Sequence, residues 1–494
     1  MSEETIPVAD TGSGANGQAS SSSARENHHL VGRIGTVELV MTVLAFSAPI
    51  LVVASFSPFV IIYNGPTAPL AYLIAMIVLL FFSVGYTAMS RHLPNAGAFY
   101  AYISAGIGKP LGLGASFLAV LGYVLMAVGT VGFVGTAANS LVVNVFSGPD
   151  IPWEVFSFGL LALTGTLGYF RIDLSAKVLL VAMLAEVGIV LLFDLFVLGD
   201  GGPEGRSLSP FNLGDFANGG GVGLAVLFAA TSYLGFEATA IFREETKDPD
   251  RVVPRATYAA VFFIGLFYIL GVYCVITAYG PSQVQGVALE DYVNMFNVAI
   301  ESNVGVWARD VVQVLIVTSG FACLLSVQNI MSRYVFSLGV DEVLPKALGR
   351  PNPKHGSPSI ASLTISTVLV AVLLTQVNQD PGLVYAKLAG AGGYAILVLM
   401  FLTGVSVVAF FRRHPEHEAP LWHRLVAPVV SAVTMAIILY LATTNFTAMT
   451  GGSKGEAVVL QVILWGTLAL GAVLALIYRQ TKPRVFERIG RSKF

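Results

Sequence analysis

The sequence predicts an all-α integral membrane protein with twelve transmembrane helices. Three observations predict it. First, 55% of the 494 residues are hydrophobic and 11% are charged, with a mean hydropathy of +0.76. Soluble domains carry about 25% charged residues, so this chain cannot cover a water-facing surface. Second, twelve apolar stretches are long enough to cross a bilayer, which takes about 20 residues per helix. Third, place the amino terminus inside and alternate the stretches. Then 23 of the 27 Lys and Arg fall inside, and only Arg206, Arg309, Lys387 and Lys454 fall outside. That asymmetry is what sets orientation, and shifting one helix in the middle scrambles it. Both termini are expected to be cytoplasmic, in a multi-pass protein of the plasma membrane.

Residues 1–33 are rich in Ser, Gly and Ala and read as a disordered cytoplasmic tail. They lack the charged-then-apolar pattern of a cleavable signal peptide, so the first span is expected to direct insertion. The apolar stretches are 36–62, 68–90, 112–144, 153–170, 174–198, 222–243, 254–279, 307–337, 359–377, 383–411, 425–444 and 457–479. The third and eighth are long enough to tilt or protrude. The outside loops are acidic or neutral: Asp150 and Glu154, then Asp200, Glu204 and Asp215, then Glu290, Asp291 and Glu301. The loop at 199–221 is Gly-rich, and the one at 280–306 is expected to carry a short surface helix. Residues 480–494 form a basic cytoplasmic tail. Cys274 and Cys323 lie in apolar segments and read as core residues.

Two of the stretches are interrupted. In the first, Ser47-Ala48-Pro49 sits mid-span, and proline removes a backbone donor. In the sixth, Tyr233-Leu234-Gly235-Phe236-Glu237 puts a glycine beside an acid. A carboxylate inside a membrane helix is expensive and is a functional-site hypothesis by default. If 34–198 and 222–411 are two five-helix repeats in a ten-helix core, followed by two further helices in 412–479, the interruptions fall at corresponding positions. That arrangement points to a transporter's binding site near the midplane. A half-helix that starts there offers unpaired N–H groups and a positive dipole end to a carboxylate, and one that ends there offers carbonyls to an ammonium. Ser47, Ala48 and Ile50 are the candidates for carboxylate contact, since Pro49 has no N–H. Phe228, Thr231 and Leu234 are the candidates for amine contact and pocket, with Tyr233 and Gly235 beside them.

The pattern GFE-ATA followed by EE-KDPDRVVPRA, between Gly235 and Ala256, resembles the sixth helix and following loop of the amino acid–polyamine–organocation (APC) permeases. Pro94 to Tyr102, continuing to Gly108-Lys109-Pro110-Leu111-Gly112, resembles the family's loop before the third helix. Asn329 to Pro358 resembles its eighth helix and cytoplasmic loop. The resemblance covers nearly the whole chain after the tail. It implies the leucine-transporter-type inverted-repeat fold, with helices 1 and 6 broken and the substrate held between the breaks. Ser-Ala-Pro departs from the family's commoner glycine-rich first break.

Glu186 lies 12 residues from each end of the stretch Leu174 to Leu198, roughly 18 Å from either end at 1.5 Å per residue. Low dielectric favours the protonated form of such a carboxyl. Some proton-coupled relatives carry a lysine at the corresponding place. Glu186 is expected to bind a proton, or to help hold sodium with Ser319 or Ser326, or to be a structural acid hydrogen-bonded to a neighbouring helix. Glu237 and Tyr123 are coupling or gating candidates, and Tyr123, Tyr233 and Phe236 are alternatively packing aromatics. Gly390, Gly392 and Gly393 read as a bending gate or as close packing, while Gly129, Gly132 and Gly135 read as packing alone. Arg243, Glu244, Glu245 and Arg255 read as an inner latch or as a solvated flank.

All seven histidines fall in the tail or cytoplasmic loops, and His414-Pro415-Glu416-His417 reads as a solvated turn. There is no nucleophile elbow, P-loop or dinucleotide fingerprint. No enzyme activity, cofactor, metal or nucleic-acid partner is expected. The reading is a secondary transporter for amino acids by alternating access. Its expected partners are a small-molecule substrate, an amino acid or an amine, together with a proton or sodium, and membrane lipid. A polyamine or cationic amine carrier or an exchanger is the alternative, with Glu237 receiving the cation; a channel or sensor fits less well.

Overall fold

The computed structural model describes residues 35–93, 98–170, 176–241, 243, 246–352 and 357–490. The expected tail 1–33, residues 94–97 of the loop motif, Arg171, Glu244, Glu245, Lys354 and His355 lie outside the described residues.

Helices occupy every one of the apolar stretches. The first holds α1 (Thr36–Phe46) and α2 (Pro49–Asn64), and α3 (Ala68–Ser90) fills the second after a tight turn at Gly65–Thr67. A short α4 (Ala98–Gly106) leads through Gly108, at φ 142°, into α5 (Lys109–Asn144). That backbone geometry suits glycine, and Pro110 fits the first turn, where no N–H is needed. Next come α6 (Trp153–Phe170), α7 (Ala176–Asp200) and α8 (Leu213–Asn218), the last capped by the Asn212 side chain. The sixth stretch holds α9 (Val222–Thr231) and α10 (Ala238–Ile241), followed by α11 (Pro249–Tyr279). The loop expected to carry one surface helix carries two, α12 (Val284–Glu290) and α13 (Met295–Asn303). Then follow α14 (Val306–Val340), α15 (Ser359–Leu374), α16 (Pro381–Arg413), α17 (Ala427–Thr444), α18 (Phe446–Met449), α19 (Lys454–Thr481) and α20 (Pro483–Arg488). Among the described residues, eight helical stretches are long and apolar enough to cross a membrane, α2 and α3 counting as one. Apolar side chains such as Val181, Phe262, Leu363, Val433, Val462 and Leu470 stand exposed on the outside. Apolar surface on that scale suits lipid and not water.

The packing centre is α5 against α16, where small residues let the backbones meet. A Cβ on Gly129 would sit 2.8 Å from the Ala389 nitrogen, and one on Gly392 would sit 2.6 Å from the Gly122 oxygen. Gly390 abuts Phe228, Gly393 abuts Thr231, and Gly135 abuts Ser157. These glycines are occupied by close packing. Gly132 is roomier, its nearest neighbours being 3.6 Å away.

The chain's last described segment folds back onto the bundle. Val485 and Ile489 join Tyr100, Leu113, Leu338, Val343 and Ala475 in a separate small apolar cluster. Lys109 Nζ donates to the carbonyls of Phe486 and Glu487 at 3.1 and 2.8 Å, and Arg488 pairs with Glu342 at 3.0 Å. Part of the expected tail is therefore an ordered cap, because it buries aliphatic area that would otherwise face water. Under this cap Asp341 ends α14 and is buried, with Tyr100 near its Oδ2. Burial lifts its carboxyl to about 6, against the lowering effects of Tyr100 and Arg488. A folded-state value above the unfolded one means the contribution to stability is full below about pH 4 and is lost as pH rises through about 6. Asp341→Asn is expected to flatten the fall in melting temperature between pH 4.5 and 7.5. An unchanged slope would rule this account out.

Candidate functional site

The site is built where the first and sixth stretches are interrupted. α1 stops at Phe46 and α2 starts at Pro49; Ala48 between them adopts φ 46° and ψ 65°. Such left-handed geometry is uncommon for alanine, and it turns the chain so that the next helix starts with Ile50 and Leu51 N–H groups facing away from its own ladder. On the other side, α9 ends at Thr231 and α10 begins at Ala238, with turns between and Gly235 at φ 113°. That φ excludes most side chains.

Glu186 of α7 reaches the start of α2. Its Oε2 accepts the Ile50 N–H at 3.3 Å, across 136 positions of sequence. The residue is 3% exposed. Ser319 Oγ lies beside this carboxylate without a well-formed hydrogen bond, and Tyr268, whose hydroxyl has no partner among the described residues, faces the same group. Ser326 instead donates to Ala322 O at 2.9 Å, back into its own helix. The chain's own carboxylate thus occupies the N–H that the sequence assigns to a substrate carboxylate.

The other candidates sort by what their polar atoms already do. Ser47 N–H donates to the Val43 and Leu44 carbonyls at 3.2 Å, and its hydroxyl donates to Leu44 O at 2.8 Å. It therefore closes α1 and has no N–H left for an anion, which corrects the sequence expectation. Ala48 remains at the break, buried. The Phe228 carbonyl accepts both the N–H and the hydroxyl of Ser232, and the Thr231 carbonyl accepts the Leu234 N–H. The Phe228 oxygen is thereby engaged twice, while the Thr231 oxygen keeps a second lone pair. The Leu234 carbonyl takes no hydrogen bond from the described residues. Thr231, Leu234 and Ala230 instead line a small cavity with Gly393, Ile396, Leu397 and Met400 of α16. Tyr233 is fully buried, and its hydroxyl donates to Tyr72 O at 2.9 Å, pinning the turn to α3.

Glu237 bends back on the turn, its Oε2 accepting the Gly235 N–H at 2.8 Å, while Tyr86 donates to its carbonyl at 3.1 Å. Tyr123 and Tyr334, 6.3 Å apart, face the same acid. Two aromatic clusters form in the bundle core. On the α2 side, Phe56, Phe59, Tyr63, Phe228 and Tyr385 pack with centroids 5.3 to 6.0 Å apart, and Tyr385 donates to Ser55 at 2.8 Å. On the other side, Phe82, Tyr86, Phe99, Tyr102 and Phe236 pack at 5.0 to 6.5 Å. Phe236 is one of these packing aromatics.

Sequence reasoning missed Tyr268, Tyr72 and the α16 lining. Their aromatic or aliphatic side chains carry no pattern that separates pocket from core. At one end of the bundle, His417 is not merely a solvated turn. It stacks on His92 at 4.2 Å and on Phe410 at 5.6 Å, and the ligand atoms of His414, Glu416 and His417 come within 4.8 Å of one another. Burial, followed by the neighbouring His417, pushes the His92 ring below its usual value.

The profile of the family described as "Amino acid permease" matches residues 39–486. The low-affinity putrescine importer PlaP of Escherichia coli K12 is 25% identical over 81% of this chain and 86% of its own length. The probable GABA permease of Pseudomonas aeruginosa is 25% identical over 86% of this chain and 87% of its own. The branched-chain amino acid permease BcaP of Bacillus subtilis is 23% identical over 85% and 87%. With a helical membrane fold, interruptions in the first and sixth apolar stretches, a small cavity between the second interruption and α16, and a family match along nearly the whole described length, the chain belongs to the amino acid permease family of the APC superfamily, and is a secondary transporter and not an enzyme.

Proposed function

We propose that this protein carries amino acids into the cell across the cytoplasmic membrane by proton-coupled alternating access. It does so on twelve spanning helices in a leucine-transporter-type arrangement, with residues 34–198 and 222–411 as inverted repeats, helices 1 and 6 broken, and both termini inside. The observation that carries the reading is the hydrogen bond from Ile50 N–H to Glu186 Oε2. A carboxylate already sits at the helix start, where N–H groups and the dipole favour an anion. A substrate carboxylate entering the cavity competes for that N–H. Glu186 released into a low-dielectric site is costly as an anion, so it takes up a proton. Substrate binding and proton binding then favour each other, which is what symport requires. Release of both to the inside lets Glu186 return to Ile50. The Leu234 carbonyl is free to accept from the substrate's ammonium, and the α16 lining sets side-chain size.

Radiolabelled counterflow in proteoliposomes tests this. Saturable exchange of an α-amino acid, with no exchange of the corresponding amino acid amide, supports carboxylate competition. Linear, non-saturating flux would indicate a channel and overturn it. A thermal-shift screen across amino acids and polyamines finds the substrate, because a ligand stabilises the state it binds.

A polyamine or cationic amine is the second reading. It is favoured by Glu237, a buried acid at the helix 6 turn, and by the putrescine importer among the relatives. A cation seated at Glu237 would leave Glu186 on Ile50, so putrescine stabilisation that survives Glu186→Gln and disappears in Glu237→Gln selects it.

Arg243 pairs with Asp250 at the start of α11. We read this pair as part of an inner latch. Neutralising Arg243 together with Glu245 is expected to raise the labelling rate of cysteine probes in the inner cavity severalfold. Unchanged labelling makes the pair a solvated flank only.

A further inference from the structure

The coupling scheme leaves one buried carboxyl unused. Asp194 stands on α7, eight residues beyond Glu186. It is 1% exposed, and neither Oδ1 nor Oδ2 has a hydrogen-bond partner among the described residues. Asp194 lies six residues before the α7 end at Asp200, about 9 Å below it at 1.5 Å per residue. Three other polar side chains share that depth or the segment packed against it. Cys274 of α11 lies five residues before Tyr279, and its Sγ is 3.9 Å from the Asp194 carbonyl oxygen. Gln313 lies seven residues into α14, about 10 Å below its start. Asn297 lies on α13, whose Phe296 meets Phe193 with centroids 5.3 Å apart. Gln313 is 2% and Asn297 3% exposed; both amide atoms of Gln313 and the Asn297 Oδ1 lack partners among the described residues. α7 packs on α11, α13 and α14, and α13 packs on α11 and α14.

This layer holds four unpaired oxygens and one unpaired amide donor. Buried polar groups are normally hydrogen-bonded, and each exception calls for an explanation. An isolated carboxylate away from water is especially costly. An excess of oxygen acceptors is what a hard cation or a proton satisfies.

Among the described residues, no fixed cation fills the role. α7 packs against α1, α2, α11, α13 and α14. From α11 the titratable group at Asp194 is Cys274, while Tyr273 and Tyr279 donate to Ser207 O and Met295 O. From α13 and α14, Glu301, Arg309 and Asp310 are tied to one another at 2.9 and 2.8 Å, within a turn of the start of α14. Tyr63 is the titratable group of α2, at its last turn, and Glu38 that of α1, in its first turn. Lys177, Asp250, Arg251, Arg255, Tyr258 and Arg333 lie toward the far ends of α7, α11 and α14, and Tyr268 faces Glu186.

We infer that Asp194, with the amide oxygens of Asn297 and Gln313, forms a binding site for one small positive charge, a proton or an alkali cation, separate from the Glu186 site. The readout is stability and not transport, so it stands or falls independently of the coupling scheme.

The test uses the purified full-length protein in detergent. Melting temperature is followed as sodium replaces choline at fixed ionic strength and pH 8.5, and separately as pH falls from 9 to 5 without sodium, every protein in the pH arm carrying Asp341→Asn so that Asp341 does not contribute. Wild type is expected to gain stability in one arm, and which arm responds identifies the cation. Asp194→Asn is expected to abolish that response, and Glu186→Gln to keep it. Asn297→Ala, on the loop helix, is the second variant and is expected to weaken the apparent affinity at least tenfold. The inference is overturned if wild type responds in neither arm, if the response survives in Asp194→Asn, if Asn297→Ala leaves the affinity unchanged, or if Glu186→Gln removes the response equally.

Discussion

Glu186→Gln, reconstituted in liposomes, is expected to exchange substrate at a near wild-type rate and to lose accumulation driven by a pH gradient. The glutamine keeps an oxygen that accepts the Ile50 N–H, at 3.3 Å in the native protein, so the start of α2 stays capped and the fold is retained. What it loses is the ability to take up and give back a proton. One pH unit across the membrane is worth about 1.4 kcal/mol, a factor of about ten. With one proton per substrate, wild type accumulates about tenfold, and the variant equilibrates to a ratio near one. Counterflow needs only substrate binding and the conformational change, so it survives. If the variant still concentrates substrate under an imposed proton gradient with sodium absent, Glu186 is not the coupling site. If it does so only with sodium present, the Ser319 side of the site becomes the place to look.

Gly235→Leu is expected to reduce uptake below a tenth of wild type while protein in the membrane stays near its normal amount. Gly235 adopts φ 113°, a region that costs a leucine about 1–3 kcal/mol. Its N–H donates to Glu237 Oε2 at 2.8 Å, which holds the turn between α9 and α10. A leucine has to abandon that geometry, and the Leu234 carbonyl and the cavity lining move with it. The cost is small against the burial of the whole bundle, so the protein still inserts. Normal uptake with an unchanged KM would show that the turn has no part in binding.

Much of the helical layout was legible. Length and hydropathy placed helices in each apolar stretch; α2 starts at Pro49, and Gly235 lies between α9 and α10. The sequence argument for carbonyl contacts at Phe228 and Thr231 treated the helix end as unpaired, whereas both carbonyls already accept a hydrogen bond. Ser232 and Leu234 turn back on those carbonyls, and a short polar side chain after a helix commonly does this. Likewise Ser47 closes α1 with its own N–H. The ordered cap of α20 was hidden because its apolar residues, Val485 and Ile489, are too few to show a pattern. They matter only because Tyr100, Leu113 and Leu338 leave a matching surface.

By itself the sequence determined what any one segment can do alone: which stretches suit hydrocarbon, where the backbone loses a donor or admits positive φ, and that Glu186 must lie deep. These follow from composition, spacing and local sterics. Only the tertiary structure decided which groups meet. It set Glu186 on the Ile50 N–H, and it left the Asp194 carboxylate, the Asn297 Oδ1 and the Gln313 amide without partners among the described residues. Such meetings depend on how helices far apart in sequence rotate and tilt against one another, and that is settled by the packing of the whole bundle, which no single periodicity encodes.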